Sequence, residues 1–234
     1  MALGPVIKVK NVMNILKIYK FLINLIKTSK QIDNQMINKK KFFKEVRDSL
    51  FNGKLSQSQV DGMEEIIDYW VSKYSERPLS QLAYILATSY HETGKKMQPI
   101  NEWGSNSYFF KMYDIEGNRP HVAKELGNIL KGDGIKFRGR GDIQLTGRRN
   151  YKYWGEKLNL NLTKNPELVL TNKISKQILI EGMILGSFTT KKLDDYINTE
   201  KTDFVNARRI VNGVDKAELI ESYAKKFLNA LNEK

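Results

Sequence analysis

Two glutamates stand ten positions apart, Glu92 in His91-Glu92-Thr93-Gly94 and Glu102 in Ile100-Asn101-Glu102-Trp103-Gly104. Further along comes Arg138-Gly139-Arg140-Gly141-Asp142-Ile143-Gln144-Leu145-Thr146-Gly147, a Gly/Arg-rich stretch that carries Gln and Thr. Two nearby carboxyls are what hydrolysis of a sugar bond requires. One must hand a proton to the leaving oxygen, and the other must activate water or stabilise the cation.

Glu92 follows an apolar run and is expected at the C-terminal end of a helix. Burial there and the negative end of the helix dipole both favour the protonated carboxyl, the form a general acid needs. The competing reading is a surface glutamate, or one paired to Lys95, Lys96, Arg138 or Arg140. Glu102 falls in a loop with Trp103 and Tyr108, and exposed aromatic faces suit sugar rings. Either aromatic could instead cover the core. Gly139 and Gly141 allow close backbone approach or positive φ. Read as a strand, the segment points Gln144 and Thr146 to the same side, where Thr146 could hold a water and Gln144 an N-acetyl or hydroxyl group. An ordinary hairpin fits the same residues. A phosphate loop does not, because no Lys-Ser/Thr pair follows the glycines.

Several elements must position these groups. A helix is expected over 40–51, then a turn at Asn52-Gly53. Ser56 and Gln59 form a capping-box pattern ahead of Val60, Met63, Ile66, Ile67 and Trp70. Arg77-Pro78 breaks that helix, and Ser80 can cap the next, which ends near Glu92. The stretch from Lys95 to Pro120 reads as irregular and aromatic. Short extended pieces are expected near Ile135–Phe137 and Ile143–Leu145, and helices again near 148–158, 174–188, 203–211 and 216–232. The balance is mostly α with a small β element.

The N-terminal residues are different. On a helix over 8–28, Val12, Ile15, Leu16, Tyr19, Leu22, Ile23 and Ile26 gather on one side, with Met13 and Phe21 off that face. Lys17 and Lys20 interrupt the run, which argues against a membrane span or a signal peptide. The helix then lies in a membrane interface, docks on another protein, or packs on its own domain. A polar Asn/Gln/Lys-rich linker follows over 29–39.

The whole chain of 234 residues, 41% hydrophobic and 10% aromatic, suits one packed domain with an extension. No cysteine is present and only two histidines, His91 and His121, so a disulfide framework is excluded and a histidine-rich metal centre is not expected. The net charge is +13, and residues 1–50 contribute +8 of it, eleven cations against three carboxylates. Such an excess attracts nucleic acid, an anionic membrane or an acidic wall polymer, or it serves solubility alone. No nucleic-acid motif accompanies it, so nucleic acid is not an expected partner.

The motifs His91-Glu92-Thr93, Pro99-Ile100-Asn101-Glu102-Trp103-Gly104, Gly132-Asp133-Gly134, Phe137 to Gly147, Asn150-Tyr151 and Val205 to Gly213 together resemble glycoside hydrolase family 19. The likeness is to the branch of phage endolysins and bacterial chitinase-like proteins, and it spans about residues 50–232. It implies a mainly α, lysozyme-like fold of two lobes with a small β element, over 41–234, behind an N-terminal helical extension over 1–40. It implies Glu92 as general acid, Glu102 as general base and Thr146 as the residue that places the attacking water. Gln144, Asn150 and Asn212 match substrate-binding or cleft-supporting positions, and Trp103, Tyr108 and Arg140 join them as substrate-binding candidates. In plant members the second glutamate lies further from the first, which would bring the match near Asp114 and Glu116. The short spacing favours Glu102 and keeps those two as rivals. The implied substrate is the glycan strand of peptidoglycan, or chitin, cut with inversion and without a cofactor. The site of action would be the bacterial envelope and the origin a phage virion or host cell. The N-terminal helix would dock on an anionic membrane or a virion protein, and a structural component retaining the fold is the alternative.

Overall fold

The helix α3, Leu79–Glu92, is buried along almost its whole length, from Ser80 to Tyr90. A helix apolar on every side belongs at the centre of a fold. The computed structural model describes residues 37–232, so the helix expected over 8–28 lies outside the described residues. Around α3 pack α1 (Lys39–Leu50), α2 (Gln57–Tyr74), α8 (Asn172–Leu185) and α9 (Ala217–Asn232). The α9 helix covers α3 most extensively and also lies on α1. There Phe42 stacks on Phe227 at 6.4 Å, and the Tyr90 hydroxyl donates to Leu50 O at 2.6 Å.

Between α3 and α8 runs the irregular half of the chain. It holds β1 (Ile100–Asn101), α4 (Asn106–Tyr113), α5 (Pro120–Glu125), α6 (Asp133–Lys136), β2 (Arg140–Gly141) and α7 (Arg148–Leu158). The strands pair antiparallel, Ile100 against Gly141 and Asn101 against Arg140. Short α4 packs on α5 and α6 to build a small lobe. A second apolar cluster, Phe137, Tyr151, Trp154, Leu162, Val169 and Ile178, fills the space under α7 and α8. Among the described residues the fold is thus mainly helical with one two-stranded sheet.

Local chemistry explains most of the boundaries. Ser56 and Gln59 form the expected capping box at the start of α2. Helices α1, α7 and α9 lie within a residue or so of their expected positions. Other expectations need correction. Helix α3 starts at Leu79 behind Pro78, whose fixed φ leads into the first turn, and Ser80 is buried inside the helix instead of capping it. Helix α8 stops at Leu185 because Gly186 adopts a left-handed φ of 73°. The segment expected as a helix over 203–211 is a 3₁₀ turn, Asn206–Ile210, started by the Asp203 carboxylate, which accepts from Asn206 N at 3.0 Å. Ile135 belongs to a helical turn and not to an extended piece: Lys136 N donates to Gly132 O at 2.9 Å and Phe137 N to Asp133 O at 2.8 Å, and the Asp133 side chain anchors the start of that turn by accepting from Ile129 N and Leu130 N. Within Lys95–Pro120 the structure contains α4, capped by Ser105 accepting from Tyr108 N at 3.1 Å.

One buried ion pair ties the irregular half to the helical body. Lys176 of α8 and Asp142, just after β2, are both fully buried and in contact. The Lys176 ammonium also donates to Met97 O at 2.9 Å, and Ser89 of α3 donates to Asp142 Oδ1 at 2.5 Å. Ser175 closes the other side: its hydroxyl donates to Asp142 Oδ2 and accepts from Asp142 N. Burial pushes the Lys176 ammonium below the usual lysine range, and Asp142 opposes that shift. Lys176→Met would leave Asp142 buried without its cation. Urea denaturation should show a loss of about 3–5 kcal/mol, and an unchanged midpoint would mean the pair does not hold the two halves together.

A second pair, Asp133 with Arg148, fixes α6 to the start of α7. Burial pulls the Asp133 carboxyl upward, but Arg148 and the Ile129 and Leu130 N–H groups outweigh it, leaving it below the usual aspartate range. The unfolded chain therefore takes up this proton at higher pH than the folded one. The stabilisation is complete above the ordinary aspartate value of about 3.9 and is lost as pH falls through the lower folded value. Asp133→Asn should flatten the acid limb of a Tm-against-pH curve, and a parallel curve would exclude this contribution.

Candidate active site

Glu102 follows β1 directly, and its backbone N donates to Gly139 O at 2.9 Å, extending the two-residue strand pairing by one step. The carboxylate is then fixed on both oxygens. Oε1 accepts from the Tyr113 hydroxyl at 2.7 Å and Oε2 from Gly139 N at 2.9 Å. Burial and Glu102 itself push the Tyr113 phenol well above its ordinary range, so at neutral pH it remains an O–H donor. The close approach requires glycine: a Cβ on Gly139 would lie 2.9 Å from both Glu102 Oε2 and Gln144 Oε1. An oriented, half-buried carboxylate with two donors is suited to accept a proton from water.

Glu92 closes α3, as expected from the sequence, with Thr93 as the C-cap residue. None of Lys95, Lys96, Arg138 or Arg140 pairs with it. Its partner is Arg208, whose Nη1 lies 2.5 Å from Glu92 Oε1, with the arginine side chain 4% exposed and the glutamate 21%. Arg208 also donates from Nε to Asp215 O at 3.1 Å. Burial lowers the neighbouring His91 imidazole below the ordinary histidine range, with Glu92 opposing, so His91 adds no full charge at neutral pH. The glutamate is thus ion-paired, with Arg208 in place of the four cations named from sequence. A guanidinium faces one oxygen, and among the described residues no donor reaches Oε2.

The rivals for the second carboxylate have other partners. Asp114 is fully buried and its Oδ2 accepts from Gly132 N at 2.8 Å and Gly134 N at 3.1 Å, so it shapes the lobe. Glu116 is exposed and pairs with Lys131 at 2.8 Å. Arg140 needs correction as a substrate-binding residue. Its side chain is 1% exposed, pairs with Glu167 at 2.6 Å and donates to Tyr151 Oη and Lys136 O. It holds the hairpin from inside and cannot reach a glycan.

Gln144 is corrected in conformation. It adopts a left-handed φ of 54°, so the segment turns instead of running as a strand, and only Leu145 bridges back to Arg140. Its amide Nε2 donates to Ile100 O at 3.2 Å and Gly141 O at 3.1 Å. The Thr146 hydroxyl donates to Gln144 O at 2.8 Å, and Asn150 Nδ2 donates to Thr146 O at 2.7 Å. Gln144, Thr146 and Asn150 still converge on one groove of about 390 Å³, which Val211 also lines. Asn212 follows Val211, is exposed, and its Oδ1 accepts from Gly213 N. The larger cavity, about 630 Å³, lies under Lys152, Glu156 and Asn161, on a different set of residues from the two glutamates. Trp103 is 91% exposed and Tyr108 41%, so Trp103 does not cover the core.

Sequence reasoning did not single out Tyr113 or Arg208. Tyr113 carried a weak signal, since Phe109 and Tyr113 are one turn apart behind the capping Ser105. Arg208 stood inside the Val205–Gly213 motif, but nothing in its neighbours tied it to residue 92.

No family model matches the chain, and no curated protein matches it. Its architecture does have likenesses among solved structures. Chitinase C from Streptomyces griseus HUT6037 superposes with a TM-score of 0.58 at 18% identity, over 84% of this chain and 77% of that one. A bacterial family 19 chitinase superposes with a TM-score of 0.53 at 18% identity, over 85% of this chain and 96% of that one. The fold is therefore that of the family 19 chitinases, a lysozyme-like helical architecture.

The Glu92–Arg208 pair can be measured independently of any activity. In a double-mutant cycle of Glu92→Gln and Arg208→Met, thermal denaturation should return a coupling of about 1–3 kcal/mol. Strict additivity would show that the ion pair contributes nothing to stability.

Proposed function

We propose that this chain is a glycoside hydrolase that cuts the glycan strands of bacterial peptidoglycan by inversion. Glu102 carries the reading. Its carboxylate is oriented by Tyr113 and Gly139 and is suited to take a proton from water as that water attacks the anomeric carbon. The glycosidic C–O bond breaks, and the leaving oxygen takes a proton from Glu92. Arg208, 2.5 Å from Glu92 Oε1, holds that carboxyl in place beside the cleft residues. Thr146 places the water, and Gln144, Asn150 and Asn212 line the approach. An inverting pair stands roughly 6.5–9.5 Å apart, leaving room for the water.

The likeness to chitinases favours chitin as a second substrate reading. Peptidoglycan is preferred because a chain of net charge +13 is drawn to an acidic envelope more than to a neutral polymer. On this reading the protein acts at the bacterial envelope.

The test is reducing-sugar release from purified peptidoglycan beside chitin oligomers, with mass analysis of the new ends. Glu92→Gln and Glu102→Gln should each lower kcat by at least about 10²-fold, the scale of a lost acid or base. Glu116→Gln should stay near wild type. A fully active Glu92 or Glu102 variant, or a dead Glu116 variant, would overturn the assignment.

A further inference from the structure

The groove that gathers Gln144, Thr146 and Asn150 has one charged side chain in its lining, Arg149, and no carboxylate. Arg149 is exposed, and it makes no ion pair or side-chain hydrogen bond with any described residue. That sets it apart from the other arginines around it. Arg148 pairs with Asp133, Arg138 and Arg140 with Glu167, and Arg208 with Glu92. Arg149 does not serve its helix either, because a cation in the first turn of α7 is opposed by the helix dipole. Its backbone is anchored, with N donating to Leu126 O at 3.1 Å.

The rest of the lining has a complementary character. Gln144 and Asn150 direct amide N–H groups at backbone carbonyls, and the Thr146 hydroxyl donates to Gln144 O. What these three present to the groove is largely acceptor oxygen, which suits sugar hydroxyl and acetamido N–H groups. Tyr153, one turn beyond Arg149 and 43% exposed, offers an apolar ring face. A neutral aminosugar polymer is served by those groups and offers a guanidinium only uncharged oxygens. A carboxylate offers more, since the planar fork of arginine matches it in two parallel charge-assisted hydrogen bonds.

We propose that Arg149 is a specificity-determining residue that binds a carboxylate borne on the substituents of an aminosugar glycan. The inference rests on the hydrolase reading and sharpens its substrate to a carboxylate-bearing glycan. In such a polymer the acid is supplied by the peptide branches or, once these are removed, by the lactyl ether on the sugar.

The experiment compares wild type, Arg149→Gln and Arg149→Lys on three substrates: intact peptidoglycan, glycan strands stripped of peptide by an amidase, and uncharged N-acetylglucosamine oligosaccharides. For Arg149→Gln, KM on a charged glycan should rise about tenfold more than on the neutral oligosaccharide, the scale of one charge-assisted hydrogen bond, with kcat nearly constant. Arg149→Lys should recover part of the loss. Added salt should raise the wild-type KM on the charged glycan more than the variant's. A selective defect on intact peptidoglycan assigns the peptide carboxylate, and one on stripped strands the lactyl carboxylate. Equal KM changes on charged and neutral substrates, or none on either, overturn the proposal. Equilibrium binding of the stripped strands and the neutral oligosaccharides is measured in parallel. If wild type hydrolyses nothing, the hydrolase reading fails. Arg149 is then judged on binding alone, where loss of the preference for charged strands in Arg149→Gln supports the proposal and an unchanged preference overturns it.

Discussion

An ammonium group removed from water must be neutralised where it lies, and in this protein that happens between three separate stretches of chain. Lys176 reaches out of α8 to Asp142, while Ser89 of α3 and the carbonyl of Met97 complete the shell. Each hydrogen bond fixes a different piece of backbone. Asp142 follows β2 and precedes the turn that carries Gln144 and Thr146. Met97 begins the approach to β1 and Glu102. Ser89 sits one turn before Glu92. A pair of this kind contributes little net stability against a well-packed apolar alternative, but it tolerates few arrangements. Its effect here is to set register: a sheet of two residues per strand could not position Glu102 unaided.

The helical body was legible because its signals are local. The Ser56 capping box, the uninterrupted apolar run of α3 and the periodic faces of α7 and α9 each state their structure within a turn or two. The irregular half was not legible in the same way. Gln144 has no local reason to adopt positive φ; the bonds from its amide to Ile100 and Gly141 come from the fold around it. Ile135 reads as extended by composition and lies in a helical turn whose start is anchored by the Asp133 carboxylate to the N–H groups of Ile129 and Leu130.

The site divides along the same line. Both glutamates stand out in the sequence by spacing and motif, yet what each touches does not. Arg140 has the residue type of an exposed ligand and is enclosed by Glu167, Tyr151 and Lys136, since nothing in sequence distinguishes an arginine facing in from one facing out. Arg208 lies more than a hundred positions from Glu92, and only the packing of α9 beside α3 brings the following and preceding segments together.

The two carboxylates are consequently built on foundations of different stiffness. Glu102 is clasped by a strand pairing and a helix-borne phenol, so its position is inherited from the most constrained part of the lobe. Glu92 rests on a buried helix, but its charge partner stands in a five-residue 3₁₀ turn that runs into the exposed segment 212–216. Substitutions in that exposed segment reach the partner of Glu92 directly, because Arg208 Nε donates to Asp215 O. For a lineage under selection, the Glu92 half of such a site is the adjustable half: its charge partner can be moved through changes in a loop, while the geometry that holds Glu102 stays fixed by the fold.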